Sequence, residues 1–197
     1  MKRTLSLAVV LVFLLLPVPT AYANWNGGHD VMGISQAKTT WYFAEGCTRN
    51  GFNTWLCLYN PNPSGTNTSI SYFLENGEIR TIGQFVNANS RTTVDVGTTC
   101  KGEHDVACKV TSQLPVVAER SVYFDNNGCN GGHVAMGVES PQKDWYFAEG
   151  CTQPGFQEWL CILNPSSSRI ASLQAEYLIR RETYSKTVVG FSPPWVH

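Results

Sequence analysis

The chain has 197 residues, of which 43% are hydrophobic and 15% charged, and it carries 14 basic against 15 acidic residues. A near-neutral balance without clusters of Lys and Arg argues against a nucleic-acid partner. The low charged fraction and the many Gly, Asn, Ser and Thr residues are typical of an exported, β-rich protein with turn-dense connections. No window shows a 3.6-residue apolar period over three turns, so almost no helix is expected.

The first 23 residues predict a secretory signal peptide. Lys2 and Arg3 precede an apolar core over 5–17, and a small-x-small cleavage signal stands at 21–23. The apolar run is too short for a membrane span, no lipid-accepting Cys follows it, and no later run could anchor the chain. We expect a mature chain that starts at Asn24 with twelve basic and fifteen acidic residues, a net charge of −3. The predicted location is secreted, extracellular or at the cell surface.

A repeat displaced by 104 residues is the most informative feature of the sequence. Fifteen of 21 positions are identical between 41–61 and 145–165, and both segments begin with WYFAEGC. The motif NGGH at 26–29 returns at 130–133. This period exceeds the ~20–50 residues of solenoid repeats and is close to the ~100 residues of an immunoglobulin-type sandwich. We therefore predict a first β-sandwich repeat over 24–129 and a second over 130–197, which holds only 68 of the 104 positions.

Within the first repeat, short strand patterns alternate with turn signals. Strands are predicted near 30–34, 41–45, 54–59, 68–75, 79–86, 91–96, 106–112 and 115–124. Ile70, Tyr72 and Leu74 share one face of their strand, as a half-buried antiparallel strand requires. Asn76 and Gly77 predict a tight hairpin turn with positive φ at both residues. The predicted fold class is all-β, with tandem immunoglobulin-like antiparallel sandwiches of which the second is incomplete.

Seven cysteines are consistent with an oxidising compartment. In each repeat one pair flanks a Gly-Phe loop between predicted neighbouring strands, and another pair flanks a short polar loop in the first repeat. Three disulfides are therefore predicted, which join Cys47 to Cys57, Cys100 to Cys108 and Cys151 to Cys161. Each should stabilise its loop by ~2–3 kcal/mol in the chain-entropy model.

Cys129 is left over as an unpaired thiol, because its counterpart in the first repeat is Trp25. It can be an inert buried thiol, a locally altered pairing or an intermolecular bridge. The first two interpretations are favoured over the bridge. A monomer band on both reducing and non-reducing gels would exclude the bridge.

The WYFAEG motif has a packing interpretation and a catalytic one. Strand alternation lets Trp41 and Phe43 enter the core while Tyr42 faces the other side. Glu45 can accept bonds from backbone donors or pair with Arg120. A general acid would need a positioned partner carboxylate or base, and none accompanies this glutamate or its repeat, Glu149, in sequence. The packing interpretation is therefore favoured.

Histidines and acidic loops give weak metal signals. His29 and His133 follow paired glycines, and a shared metal site is disfavoured because Asp30 is replaced by Val134 in the second repeat. Capping or turn histidines are expected instead. The stretch 103–105, Glu-His-Asp, is predicted to be a solvated loop tip, and 125–128 a linker. No metal and no cofactor is predicted.

The motifs WYFAEG, NP, SRTTV at 90–94, PVVAERS at 115–121 and GGH occur here in one order. This order resembles a bacterial family of tandemly repeated domains of unknown function in exported and cell-surface proteins. The resemblance covers one full repeat and most of a second, and it implies a β-sandwich in an extracellular setting without a catalytic residue to transfer. Two features depart from the family pattern, namely the cysteines after WYFAEG and the segment after Tyr177.

The sequence thus predicts a non-enzymatic extracellular structural, adhesion or spacer module of a bacterial surface or secreted protein. One alternative is a carbohydrate-binding module attached to a cell-wall enzyme, with cell-wall glycan stacked on exposed aromatics. The stacking candidates are Trp41, Trp55, Trp145 and Trp159, and their burial would count against this alternative. The other alternative is a surface filament, since the incomplete second repeat could self-associate or pair with other surface proteins by strand addition. Truncation of the second repeat is preferred over assembly.

Overall fold

The computed structural model describes residues 31–126, 129–179 and 182–191, and for Asn126, Cys129 and 182–191 it describes the backbone alone. The predicted signal peptide, the first NGGH motif with His29, and the residues after 191 lie outside the described residues. Of the predicted strand near 30–34, residues 31–34 are not in a strand.

The described chain folds into nine strands and one short helix. These are β1 (Lys38–Phe43), β2 (Phe52–Asn60), β3 (Thr66–Leu74), β4 (Ile79–Val86), β5 (Ser90–Asp95), α1 (Val96–Cys100), β6 (Val106–Asn126), β7 (Cys129–Met136), β8 (Ala171–Ile179) and β9 (Glu182–Phe191). Strands β1 to β7 form a seven-stranded antiparallel sheet that curls around one core, and β8 and β9 form a two-stranded sheet. The prediction of an all-β chain with almost no helix is confirmed.

Strand β6 is the centre of the seven-stranded sheet. Its first half pairs with β1 and β3, and its second half pairs with β2 and β7. The prediction of two strands here is wrong, because β6 runs without interruption through Pro115. The partners of β6 change beside this residue, since Val116 pairs with Lys38 of β1 and Val117 with Tyr59 of β2. A proline, which has no N–H to donate, is tolerated at such a change of partner.

The core follows the alternation that the sequence predicts. Ile70, Tyr72 and Leu74 of β3 are fully buried, and Trp41 and Phe43 of β1 are buried with them. These side chains belong to one continuous apolar cluster. The indole N–H of Trp41 donates to the carbonyl of Val116 at 2.9 Å, which ties β1 to β6 through a side chain as well. Both predicted faces, of β1 and of β3, are therefore confirmed.

The β3–β4 hairpin differs from the predicted turn. The Gly77 N–H donates to the Leu74 carbonyl and the Leu74 N–H donates to the Glu78 carbonyl, both at 2.9 Å. Gly77 has φ of 85°, but Asn76 does not have a positive φ. This is the longer hairpin loop in which only the last residue is left-handed. Asn76 contributes through its side chain, since its Oδ1 accepts from the Glu78 N–H at 2.9 Å.

The second repeat contributes strands at its two ends only. β7 opens the second repeat in sequence, yet it adds to the sheet of the first repeat by pairing with β6. β8 and β9 lie about 104 positions after β3 and β4 and also pair antiparallel, but their register differs by one residue from that of β3 and β4. Residues 142–161, which repeat the sequence of β1 and most of β2, form no strand.

The pairing in the first repeat explains this difference. β1 pairs with β6, and β2 pairs with β5 and β6. Among the strands that the structure describes, none pairs with the repeats of β1 and β2, whereas β8 pairs with β9. In an extended segment without a neighbouring strand, the backbone N–H and C=O groups form hydrogen bonds with water, so the segment is not stabilised as a β-strand.

Candidate functional site

A cluster of three charged or polar side chains, here called the ion cluster, brings three sequence motifs together. Glu45 comes from WYFAEG after β1, Arg120 from VVAERS on β6, and His133 from GGH on β7. Arg120 Nη1 donates to Glu45 Oε2 at 3.0 Å, and Arg120 Nη2 lies 3.3 Å from His133 Nδ1. His133 Nε2 lies 3.4 Å from Glu45 Oε1, which closes a triangle. The predicted pairing of Glu45 with Arg120 is confirmed.

Strand alternation places Arg120 in the core. Val116, Ala118 and Val122 lie on the inner face of β6, and Arg120 occupies the same row with 3% exposure. His133 is opposite Val122 in the β6–β7 register, so its ring reaches the guanidinium from the neighbouring strand. The prediction of a turn histidine is wrong for His133, which lies within β7. The sequence offered one indication that these three residues belong together, because their motifs occur in the same order as in the family that the chain resembles.

The geometry assigns the tautomer of His133. A guanidinium can only donate hydrogen bonds, so the Nδ1 atom that faces Arg120 accepts. The other ring nitrogen, Nε2, then carries the proton and donates to Glu45. The imidazole therefore links the two charged groups without adding a charge to the buried guanidinium.

The charge state of Glu45 argues against acid catalysis. Partial burial raises its pKa, but the hydrogen bond from His133 and the positive charge of Arg120 outweigh burial and hold the pKa below its ordinary value of 4.5. A general acid at neutral pH needs a carboxyl whose pKa is raised. Arg120 Nε is buried and has no hydrogen-bond partner within the described residues. The cluster holds β1, β6 and β7 together and leaves Glu45 as a stable carboxylate.

The six cysteines whose side chains the structure describes are free thiols in it, and no disulfide joins them there. Cys57 alternates with the buried Leu56 and Leu58, and its side chain therefore lies on the outer face of β2. Its Sγ lies 4.0 Å from Thr93 Oγ1. Cys47 lies beyond the end of β1, where its backbone exchanges hydrogen bonds with the inward-facing Thr54. The pairing of Cys47 with Cys57 therefore stays a prediction from the sequence.

The second predicted pair of the first repeat lies in the core. Cys100 ends α1 and Cys108 lies on β6, and both are buried in the core. Burial raises the pKa of each above the ordinary value, and it raises the pKa of Cys161 to about 11. Cys151 is partly buried. The side chain of Cys129 lies outside the described residues, and its pairing stays a prediction.

Thiol labelling tests these assignments. With iodoacetamide at pH 8 we expect Cys57 to react first and Cys108 to react only after unfolding. Burial also raises the pKa of Cys47 to about 11. Its thiolate fraction, and hence its rate, should be roughly a hundredfold below that of an ordinary exposed thiol. Peptide mass spectrometry after labelling gives each rate. If the denatured, unreduced protein carried no free thiol at these positions, the disulfides of the sequence prediction would stand instead.

A second polar network surrounds the loop at 103–105. His104 Nδ1 lies 3.1 Å from both carboxylate oxygens of Glu75, and Arg49 Nη2 donates to Asp105 Oδ2 at 2.7 Å. Thr48 Oγ1 donates to the Gly102 carbonyl at 2.8 Å. The prediction of a solvated tip is therefore wrong for His104 and Asp105, which tie the loop to the segment after β1. The described residues contain no group of three or more His, Cys, Asp or Glu side chains suited to a metal ion.

The four tryptophans proposed for ligand stacking divide by repeat. Trp41 is 3% exposed, whereas its counterpart Trp145 is 51% exposed. Trp55 is half-buried on the outer face of β2, and its counterpart Trp159 is 79% exposed. The exposed aromatic and apolar side chains of this part of the second repeat, here called the aromatic face, are Trp145, Tyr146, Phe147, Phe156, Trp159 and Leu160.

Comparison with known proteins supports the fold and goes no further. No family model matches the chain, and no curated protein matches it. A solved protein, Thermotoga maritima 1070, is similar in fold with a TM-score of 0.50 at 14% identity, over 53% of this chain and 96% of that one. The Anabaena sensory rhodopsin transducer aligns with a TM-score of 0.40 at 20% identity, over 45% of this chain and 91% of that one. The first of these two similarities, with the strand pairing described above, supports an all-β protein with a curled antiparallel sheet. Among the described residues, no helix is long and apolar enough to cross a bilayer.

Proposed function

We propose that the chain is a non-enzymatic structural, adhesion or spacer module of a bacterial surface or secreted protein, built from tandem immunoglobulin-like β-sandwiches. The observation that carries this proposal is the position of the WYFAEGC side chains in the first repeat. Trp41 and Phe43 are buried in the core, and Glu45 is engaged by Arg120 and His133. Every one of these side chains serves the packing of β1 against β6 and β7. In our proposal the second copy serves the packing of a second domain of the same kind, although Trp145 and Phe147 are exposed in this structure.

The ion cluster supports the same proposal. It joins the first strand, the central strand and the last strand of one sheet, so separation of any of them breaks a charge-assisted hydrogen bond or exposes a buried guanidinium. A spacer between other domains benefits from such a link between its first and last strands. In our proposal the predicted signal peptide directs this module out of the cell.

Export and polysaccharide binding test the proposal together. We expect the protein in the culture medium or the cell-surface fraction, with an N-terminus at Asn24, and recovery in the supernatant after sedimentation with insoluble peptidoglycan, cellulose or chitin. N-terminal sequencing and the bound fraction provide the two measurements. Retention in the cytoplasm with an intact N-terminus would contradict the proposed location.

Carbohydrate binding is the second candidate function, and the exposure of Trp145 and Trp159 favours it. Aromatic rings that stand in water can stack on sugar rings. In that case the protein would sediment with one of the polysaccharides, and a Trp145→Ala and Trp159→Ala double variant would not. The Trp55→Ala variant is the matched control, since Trp55 has the same sequence context in a half-buried position. Sedimentation lost in the double variant alone would replace the structural role by a glycan-binding one.

A further inference from the structure

We propose that a groove beside β1 is a binding site for a short, neutral saccharide of one or two sugar rings. This groove, here called the edge groove, has a volume of about 510 Å³ and is lined by residues from 33–38, by Trp41 and by residues from 137–145. A concave site of this size, with a few polar groups on its walls, is typical of small-molecule binding. The inference rests on the adhesion role within the proposed function and deepens it by naming the class of ligand.

The groove exists because one segment leaves β1 after a single bridge. Tyr42 and Val138 exchange two backbone hydrogen bonds, at 2.8 and 3.1 Å, in an isolated antiparallel bridge. A continued ladder would pair Thr40 with Ser140, but residues 139 and 140 bend away, and that pair is not formed among the described residues. The space that opens between β1 and the departing segment is the edge groove.

Close packing holds both walls of the groove in place. At Gly137 a Cβ atom would lie 2.8 Å from Phe43 Cζ, so the absence of a side chain lets this segment lie against β1. On the other wall, Ile34 is packed against the core cluster, which includes Trp41. The groove is therefore largely preformed, and a ligand does not have to order its walls on binding.

Trp145 forms the aromatic wall of the groove. It is 51% exposed, and its indole N–H donates to the Gln142 carbonyl at 3.2 Å. Gln142 Nε2 in turn donates to Ser140 Oγ at 2.9 Å, so the segment that carries the ring also orients it. With its N–H engaged, the indole offers apolar ring surface to a ligand, and the C–H face of a sugar ring stacks on such a surface.

The polar groups of the groove supply both donors and acceptors. The Ser140 hydroxyl can still donate, and the Gln142 Oε1 atom can still accept. The exposed amide of Gln36, on the opposite wall, can do both. Sugar hydroxyls both donate and accept hydrogen bonds, so this mixed set matches them.

The charges of the groove favour a neutral sugar. Lys38 Nζ and Glu139 Oε2, which belong to opposite walls, lie 2.8 Å apart and form an ion pair. Each charge is compensated by the other, so the groove offers no unpaired charge to an acidic or a basic ligand. A carboxylate on the sugar would have to displace Glu139 from Lys38 before it could bind.

Nuclear magnetic resonance with soluble disaccharides tests the inference on the purified protein. Cellobiose, maltose and di-N-acetylchitobiose are added at millimolar concentrations, and indole and side-chain amide signals are followed in proton–nitrogen correlation spectra. We expect at least one of these neutral sugars to shift the signals of Trp145 and Gln36, with a dissociation constant on the order of 1 mM. The indole signals of Trp55 and Trp159, which do not line the groove, should not move. Digalacturonic acid, which is anionic, should bind more weakly than the neutral sugar.

Matched variants separate the groove from the rest of the aromatic face. Trp145→Ala should weaken binding about tenfold, since the stacking surface is lost. Gln36→Ala should weaken it about threefold through a lost hydrogen bond. Trp159→Ala is the matched control, because Trp159 belongs to the aromatic face but lies outside the groove, and it should bind the sugar as the wild type does. All three side chains are exposed, so the variants should fold.

Four results would overturn the inference. These are no shift of a groove signal with any neutral disaccharide, shifts centred on Trp159 or Trp55, equal affinities of the wild type and both groove variants, and tighter binding of digalacturonic acid than of every neutral sugar. A millimolar site leaves the protein in the supernatant with insoluble polysaccharides, so the sedimentation result expected above is unchanged. If no sugar binds, the structural and spacer roles stand, whereas retention in the cytoplasm would contradict the proposed function and leave the groove untouched.

Discussion

Replacement of Trp41 by alanine is expected to lower the free energy of unfolding by about 3–5 kcal/mol, whereas Trp145→Ala should change it by less than about 0.5 kcal/mol. The two residues open identical WYFAEGC motifs. Trp41 fills the core and its indole donates to Val116, so its removal leaves a cavity and an unpaired carbonyl. Trp145 is half exposed and loses little. Urea denaturation followed by circular dichroism measures both variants.

A second matched pair controls for tryptophan fluorescence and ring chemistry. Leu56→Ala should cost about 2–5 kcal/mol, since Leu56 is fully buried, and Leu160→Ala should cost less than about 1 kcal/mol. Equal effects of the two members of either pair would mean that the second repeat folds its motif as the first does. That result would contradict our account of why 142–161 forms no strand.

Replacement of Arg120 by alanine has the second largest expected effect, a loss of about 3 kcal/mol. The guanidinium is buried among apolar residues of β6, so its removal leaves a cavity and takes the positive partner from Glu45. Arg120→Met fills most of that volume without a charge and should cost clearly less, since apolar replacements of buried ion pairs are often neutral. If both variants lost the same free energy of unfolding, the volume of the side chain would not account for the loss, and the charge of Arg120 would be required.

Glu45→Gln separates the charge from the volume at the other end of the pair. Glu45 is partly exposed, so we expect a loss of only about 1 kcal/mol at pH 7. The lowered pKa of Glu45 means that its contribution is present above its ordinary value of 4.5 and is lost as the pH falls through the folded-state value. The wild type should therefore lose stability between pH 5 and pH 3, and the variant should lose less over the same range because glutamine does not titrate. Glu149→Gln is the matched control, and it should alter neither stability nor its pH dependence.

Local patterns in the sequence predicted local structure well. The alternation of apolar and polar residues in 68–75 predicted the buried face of β3. The alternation in WYFAEG predicted that Trp41 and Phe43 lie in the core. The pairing of Glu45 with Arg120 was also predictable, because the two residues carry opposite charges. These features depend on period-two geometry or on opposite charges, which are visible in a single sequence.

Features that depend on pairing between distant strands were not predictable in the same way. Pro115 suggested a break, but β6 continues because its partners change there. Cys47 and Cys57 are close in sequence, yet the alternation within β2 puts the Cys57 thiol outside. His133 acts from a strand that belongs by sequence to the following repeat. Each of these features depends on the strand that lies opposite the segment, which the segment's own sequence does not reveal.

Amide hydrogen exchange tests most directly the claim that the repeated motif is a packing motif that needs a β6-type strand. We expect amides of β1 and β2 to be protected close to the limit set by global unfolding, and the corresponding amides in 142–147 and 156–163 to exchange within about tenfold of an unstructured chain. Equal, strong protection of both segments would show that the second motif folds without that strand, and our account would be wrong.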